Sequence, residues 1–124
     1  MINILENIND IELAQIYSKS ILTISPQEWE TFGYVPIESM LCGTPVLAFG
    51  PQPFSELVRH KNIVHLVYTR KVLLERLKEL LTDTDRLRLM KQKCFQHREH
   101  LLNDVSQTQS TNRLLSILSQ RICE

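Results

Sequence analysis

Residues 21–49 read ILTISPQEWETFGYVPIESMLCGTPVLAF, a strand, a loop, a helix and a second strand in succession. Residues 21–24 are β-rich and are stopped by Ser25-Pro26, because proline offers no ladder N–H. Residues 33–41 read as a helix in which Pro36 falls in the tolerant first turn and Gly43 provides the stop. Residues 46–49, Val-Leu-Ala-Phe, are apolar throughout, as a strand must be when its sheet is covered on both faces, and such sheets are parallel.

The pattern continues in both directions. Downstream, 50–53 form a loop, 54–60 a short helix and 63–67 a last strand. From about residue 69 the chain is helical. Leu73, Leu74, Leu77, Leu80 and Leu81 make one stripe, Leu87, Met90, Cys94, His97 and Leu101 a second, and Leu114, Ile117, Leu118 and Ile122 a third. Residues 106–111 are a polar break between helices. Upstream, Asp10 is placed to N-cap a helix carrying Ile11, Leu13, Ala14, Ile16 and Tyr17, and residues 2–5 offer a fourth short strand. Alternating strands and helices followed by helices alone predict a single α/β domain over residues 1–124, with a parallel sheet of three to four short strands and a helical C-terminal tail.

Bulk properties exclude several classes. A 43% hydrophobic and 23% charged chain is neither disordered nor fibrous. Its formal net charge of +0 gives no global field toward nucleic acid or an anionic membrane. Cys42, Cys94 and Cys123 lack the paired spacing of a zinc or redox motif, and the first two sit among apolar neighbours as buried thiols. With no leader-like N-terminus and no membrane-length apolar run, the expected location is cytoplasmic.

Ligands of parallel α/β sheets bind at the carboxyl ends of the strands, where loops lead into helix starts. Loop 25–32 is such a place. The N–H groups of Gly33, Tyr34 and Val35 would point at an incoming anion, with the helix dipole favouring phosphate or diphosphate. Glu30 and Glu38, with seven residues between them, flank that start as acceptors for sugar hydroxyls, although spacing alone does not establish a shared site.

The stretch Ser25-Pro26 … Glu30-Thr31-Phe32-Gly33 … Ile37-Glu38-Ser39-Met40 … Cys42-Gly43-Thr44-Pro45-Val46 closely resembles the signature of family 4 of the retaining GT-B glycosyltransferases. Glu12-Leu13 … Ile16-Tyr17-Ser18 and Glu56-Leu57-Val58 are similar to the flanking helices of that family. The resemblance implies a partial Rossmann-like sheet flanked by helices, the truncated C-terminal, donor-binding part of such an enzyme. It implies that Glu30 lies beside the transferred sugar, that the amides of Phe32 and Gly33 hold that sugar, and that those of Tyr34 and Val35 contact the diphosphate. Glu38 would bind the ribose hydroxyls. The implied donor is a nucleotide diphosphate-sugar, UDP- or GDP-linked, used with neither metal nor separate cofactor. The implied acceptor is a glycan or glycolipid in polysaccharide assembly, with peripheral membrane attachment in the full enzyme.

Departures from the family pattern are equally informative. Gly50-Pro51-Gln52-Pro53-Phe54-Ser55-Glu56 is stiffer and bulkier than the family's two adjacent glycines. The family's Arg…Lys pair, which grips the diphosphate, and its acceptor domain have no counterpart here. The expectation is a fragment or split subunit, inactive alone, with a sheet edge open to a partner chain or to self-association. The competing expectation is a non-catalytic nucleotide-binding or scaffolding module that completes a separate chain.

Other motifs receive plainer readings. Asp83-Thr84-Asp85 sits between two helices, so N-capping by Asp83 and first-turn charge at Asp85 are expected in place of metal binding. Arg86, Arg88, Lys91, Lys93 and Arg98 are expected to form a solvated basic face, with His97 and His100 at the surface. His65 alternates with apolar residues and is given a structural role, and Trp29 is read equally as a cover for a base or sugar and as packing. Ser25 lacks the elbow sequence of a nucleophile.

Overall fold

The computed structural model describes residues 1–27, 34–50 and 63–108. Three strands, β1 (Thr23–Ser25), β2 (Val46–Phe49) and β3 (Val64–Val67), form a parallel sheet in the order β1-β2-β3. Helix α1 (Asp10–Lys19) precedes β1, α2 (Tyr34–Leu41) lies between β1 and β2, and α3 (Arg70–Thr82), α4 (Thr84–Gln96) and α5 (Arg98–Thr108) follow β3. This is the expected α/β, partial Rossmann-like arrangement with helices accumulating from Thr69, the N-cap of α3. The short helix expected over 54–60 and the stripe at 114–122 lie outside the described residues.

The alternation of β2 shows why its four residues are all apolar. Val46 and Ala48 enter a core with Ala14, Tyr17, Ile37, Met40, Leu41 and Cys94. Leu47 and Phe49 point the other way, to Val67, Leu73 and Leu77. Successive strand side chains face opposite sides, so the sheet is sandwiched between α2, braced by α1, α4 and α5, and α3.

Helix α2 ends as its sequence dictates. Gly43 adopts φ +84°, its N–H donates to the Met40 carbonyl (2.9 Å), and the Thr44 N–H donates to the Ser39 carbonyl (2.9 Å). The paired bonds form a Schellman motif, which satisfies terminal carbonyls through a left-handed residue. Phe95 of α4 lies across the same glycine, where a Cβ would meet its ring at 2.6 Å.

Several local expectations are corrected. Residues 2–5 form no strand: Met1, Ile2, Ile4 and Leu5 are exposed. The chain bends at Asn7 (φ +54°), and with its apolar side chains left exposed the segment gains no burial to offset the cost of ordering it as a strand. The N-cap of α1 is Asn9, not Asp10. Asn9 Oδ1 accepts from the Glu12 N–H (2.8 Å) and Glu12 Oε2 accepts from the Asn9 N–H (3.1 Å), a reciprocal box that Asp10 has no partner three residues on to make. β1 starts at Thr23 instead of Ile21, because Ser20 caps α1 and Thr23 is the first residue in register, opposite Val46. The polar break at 106–111 does not stop α5 before Thr108.

Candidate functional site

The site region is built where β1 hands over to α2. Of the residues nominated by sequence, Glu30, Phe32 and Gly33 lie outside the described residues. Tyr34 and Val35 open α2, and Val35 is exposed. Their N–H groups fall in the first turn, where a helix has no internal acceptors, and Pro36 next to them contributes no donor. The described part of the helix start therefore presents two adjacent amides at the carboxyl end of β1. Ser25, the last residue of β1, is buried with its hydroxyl on Gln27 Oε1 (3.1 Å), so the structure too gives it no nucleophile's setting.

Glu38 sits one turn into α2 and is half-buried. Its Oε2 accepts a hydrogen bond from the Tyr17 hydroxyl of α1 (3.3 Å). Burial raises the Glu38 carboxyl to about 7. The Tyr17 bond pulls the other way by favouring the charged form, and the negative charge of Asp10 adds to the rise. Tyr17 is raised as well, first by burial and then by the neighbouring Glu38 charge, so the proton between them stays on the phenol. Near neutrality Glu38 is thus poised between neutral and charged, which is unusual for a helix-surface glutamate.

The orientation of α2 is fixed from behind by a buried polar chain. Ser39 Oγ is shared between Thr23 Oγ1 (2.7 Å) and the Thr44 carbonyl (2.9 Å). Thr44 Oγ1 in turn donates to the Tyr17 carbonyl and lies 3.2 Å from the Ser20 carbonyl. Lys91 of α4 completes it, donating to the carbonyls of Ser18 (3.0 Å) and Ser20 (3.0 Å) and to Thr44 Oγ1 (3.1 Å). An ammonium at the carbonyl end of α1 satisfies its terminal acceptors and its dipole together. Burial lowers the Lys91 pKa, so this cation is not part of a solvated face as its sequence context suggested. Among the described residues no buried side-chain polar atom lacks a partner.

The remaining candidates fall as follows. Asp83 N-caps α4, accepting from the Arg86 N–H (3.0 Å), and Asp85 meets Arg88 at 3.6 Å on the surface. Cys42 and Cys94 are buried thiols outside any disulfide, and burial pushes Cys94 up to about 12. His97 caps the carboxyl end of α4 and is half-buried, while His100 is exposed. A cavity of about 280 Å³ lined by Ile21, Thr84, Leu87, Arg88 and Lys91 lies at the amino end of β1, opposite the end where α2 starts, and its walls are almost wholly apolar. No helix among the described residues is long and apolar enough to cross a membrane.

A three-stranded parallel sheet with helices on both faces, and a helix start at the carboxyl end of its first strand, defines a Rossmann-like α/β protein. Residues 1–97 match the family described as glycosyl transferases group 1, and the chain belongs to that family. It is 38% identical over 88 residues to a D-inositol 3-phosphate glycosyltransferase of Thermobispora bispora, a match covering 69% of this chain and 21% of that protein. It is 51% identical over 37 residues to a lipopolysaccharide core biosynthesis mannosyltransferase, LpsB, of Rhizobium meliloti, covering 30% of this chain and 10% of that one. The chain thus spans about a fifth or less of the length of these relatives. No solved structure matches it.

Two residues of the site region were not nominated by sequence. Tyr17 stood in the pattern as one apolar position of α1, and Lys91 as one charge of a basic helix. Nothing local links Tyr17 to a glutamate 21 positions away, or Lys91 to carbonyls 71 and 73 positions away.

Proposed function

We propose that this chain carries the donor side of a GT-B, retaining glycosyltransferase, binding a nucleotide diphosphate-sugar whose sugar passes to a glycan or lipid-linked acceptor. The observation that carries the reading is Glu38, a half-buried carboxylate one turn behind the first-turn amides of Tyr34 and Val35. Tyr34 and Val35 would donate to the diphosphate, and Glu38 would accept from the ribose hydroxyls. Family membership and the names of the two relatives, a glycosyltransferase and a mannosyltransferase, agree with sugar transfer.

Catalysis in such a site comes from placing and stabilising charge. Preorganised N–H groups and a helix dipole stabilise the diphosphate as it leaves, when its negative charge grows. Glu30, by its place in the motif, would sit beside the transferred sugar and orient it through its hydroxyls. The test is calorimetric titration with UDP and GDP. Micromolar binding of one of them, abolished by Glu38→Ala, is expected; absence of binding by both overturns the reading.

A further inference from the structure

Tyr17 belongs to α1, outside the loop-to-helix segment that carries the motif, yet its hydroxyl reaches Glu38 Oε2 at 3.3 Å. The phenol has little freedom to do anything else. Tyr17 is 8% exposed within the core cluster that includes Ala14, Ile37 and Cys42, and its carbonyl is held by Thr44, which Lys91 holds in turn. The donor is therefore fixed by packing and by a buried hydrogen-bond chain, while the glutamate it meets is only half-buried. Among the described residues this is the only side-chain hydrogen bond of Glu38, and it engages Oε2 alone.

We propose that Tyr17 is a positioning residue for the ribose contact, its hydroxyl gripping Oε2 so that the free acceptor sites of the Glu38 carboxylate face the ribose hydroxyls. This rests on the reading of Glu38 as the ribose acceptor. A charged carboxylate offers about four acceptor positions and no donor, so one fixed bond orients the group without exhausting it. A side chain held this way loses less freedom when a ligand arrives, and supporting hydrogen bonds of this kind tighten a contact. The bond also favours the charged form, against burial and against Asp10, and the charged form is the one that accepts from two hydroxyls.

Tyr17→Phe removes the hydroxyl and keeps the ring. Calorimetry on the full chain compares UDP with 2′,3′-dideoxyuridine diphosphate, and GDP with its dideoxy counterpart, so that diphosphate ionisation cancels within each pair. The variant is expected to bind the ribonucleotide about threefold to tenfold more weakly while binding the dideoxy form as the wild type does. Carbon NMR of the Glu38 carboxyl, which needs no nucleotide, is expected to show its titration midpoint moving upward in Tyr17→Phe. If the wild type prefers the ribonucleotide, loses that preference in Glu38→Gln, and keeps both it and the Glu38 midpoint in Tyr17→Phe, the positioning role is overturned and the ribose reading stands. If the wild type treats the two nucleotides alike, or binds neither, the ribose reading itself fails and takes the proposal with it.

Discussion

Glu38 makes the protein's stability depend on pH in a direction opposite to that of an ordinary salt-bridged carboxylate. Its folded pKa is raised, from 4.5 to about 7, so the folded state holds this proton more tightly than the unfolded chain does. The associated stability is fully present below the unfolded value of 4.5 and is lost as pH climbs through about 7. At face value such a shift corresponds to roughly 3 kcal/mol. Glu38 is only half-buried, and solvent screening reduces the expected contribution to about 1–2 kcal/mol. Glu38→Gln isolates it, because a neutral amide of the same shape still accepts from Tyr17 and has no proton to lose. Urea unfolding of both proteins at several pH values between about 4.5 and 8 gives two stability curves, and other titrating groups cancel in their difference. Wild type minus variant should fall by about 1–2 kcal/mol across that window, leaving the variant the more stable at the alkaline end. A flat difference, or one that rises with pH, would refute the argument that burial outweighs the Tyr17 bond at this carboxyl.

Three further outcomes follow from the architecture behind the site. Lys91→Met should destabilise the fold by about 2 kcal/mol in chemical denaturation, because two helix-terminal carbonyls and Thr44 Oγ1 lose their shared donor. Gly43→Ala should cost about 1–2 kcal/mol in thermal melts, since a Cβ at φ +84° is strained and the Phe95 ring, 2.6 Å from it, must swing aside. Phe95 is itself 43% exposed, which keeps that cost from rising further. Cys42 and Cys94 should resist alkylation in the native protein near pH 8 and react on unfolding, because both are buried and Cys94 is pushed up to about 12.

What was legible in the sequence was whatever is written in local period and punctuation. Val46 to Phe49 read as a doubly covered strand because every residue is apolar, and its side chains do alternate into the two cores. The Gly43 stop, the Asp83 cap and the onset of helices at Thr69 were equally local and are found where expected. The Asn9 cap was available in the same way, since Asn9 and Glu12 have capping-box spacing, but the neighbouring Asp10 drew the assignment. Residues 2–5 show the opposite limit, because an apolar run becomes a strand only where tertiary packing buries it, and here its side chains stay exposed.

The site divides along the same line. The placement of Tyr34, Val35 and Glu38 on one helix was legible because they sit in one continuous motif leading into it. Tyr17 and Lys91 were not, because their roles exist only once α1 and α4 pack around α2. A tyrosine at an apolar helical position and a lysine in a basic helix have ordinary readings until tertiary contacts give each an unusual partner.

The most direct test of a nucleotide site at the start of α2 is amide NMR of the full chain on addition of UDP or GDP, with the free nucleoside as control. The account predicts that the Tyr34 and Val35 amides shift with the diphosphate and not with the nucleoside, and that the Glu38 carboxyl shifts with the diphosphate. Shifts confined to the apolar cavity around Ile21 and Leu87, or no shift at Tyr34 and Val35, would contradict it.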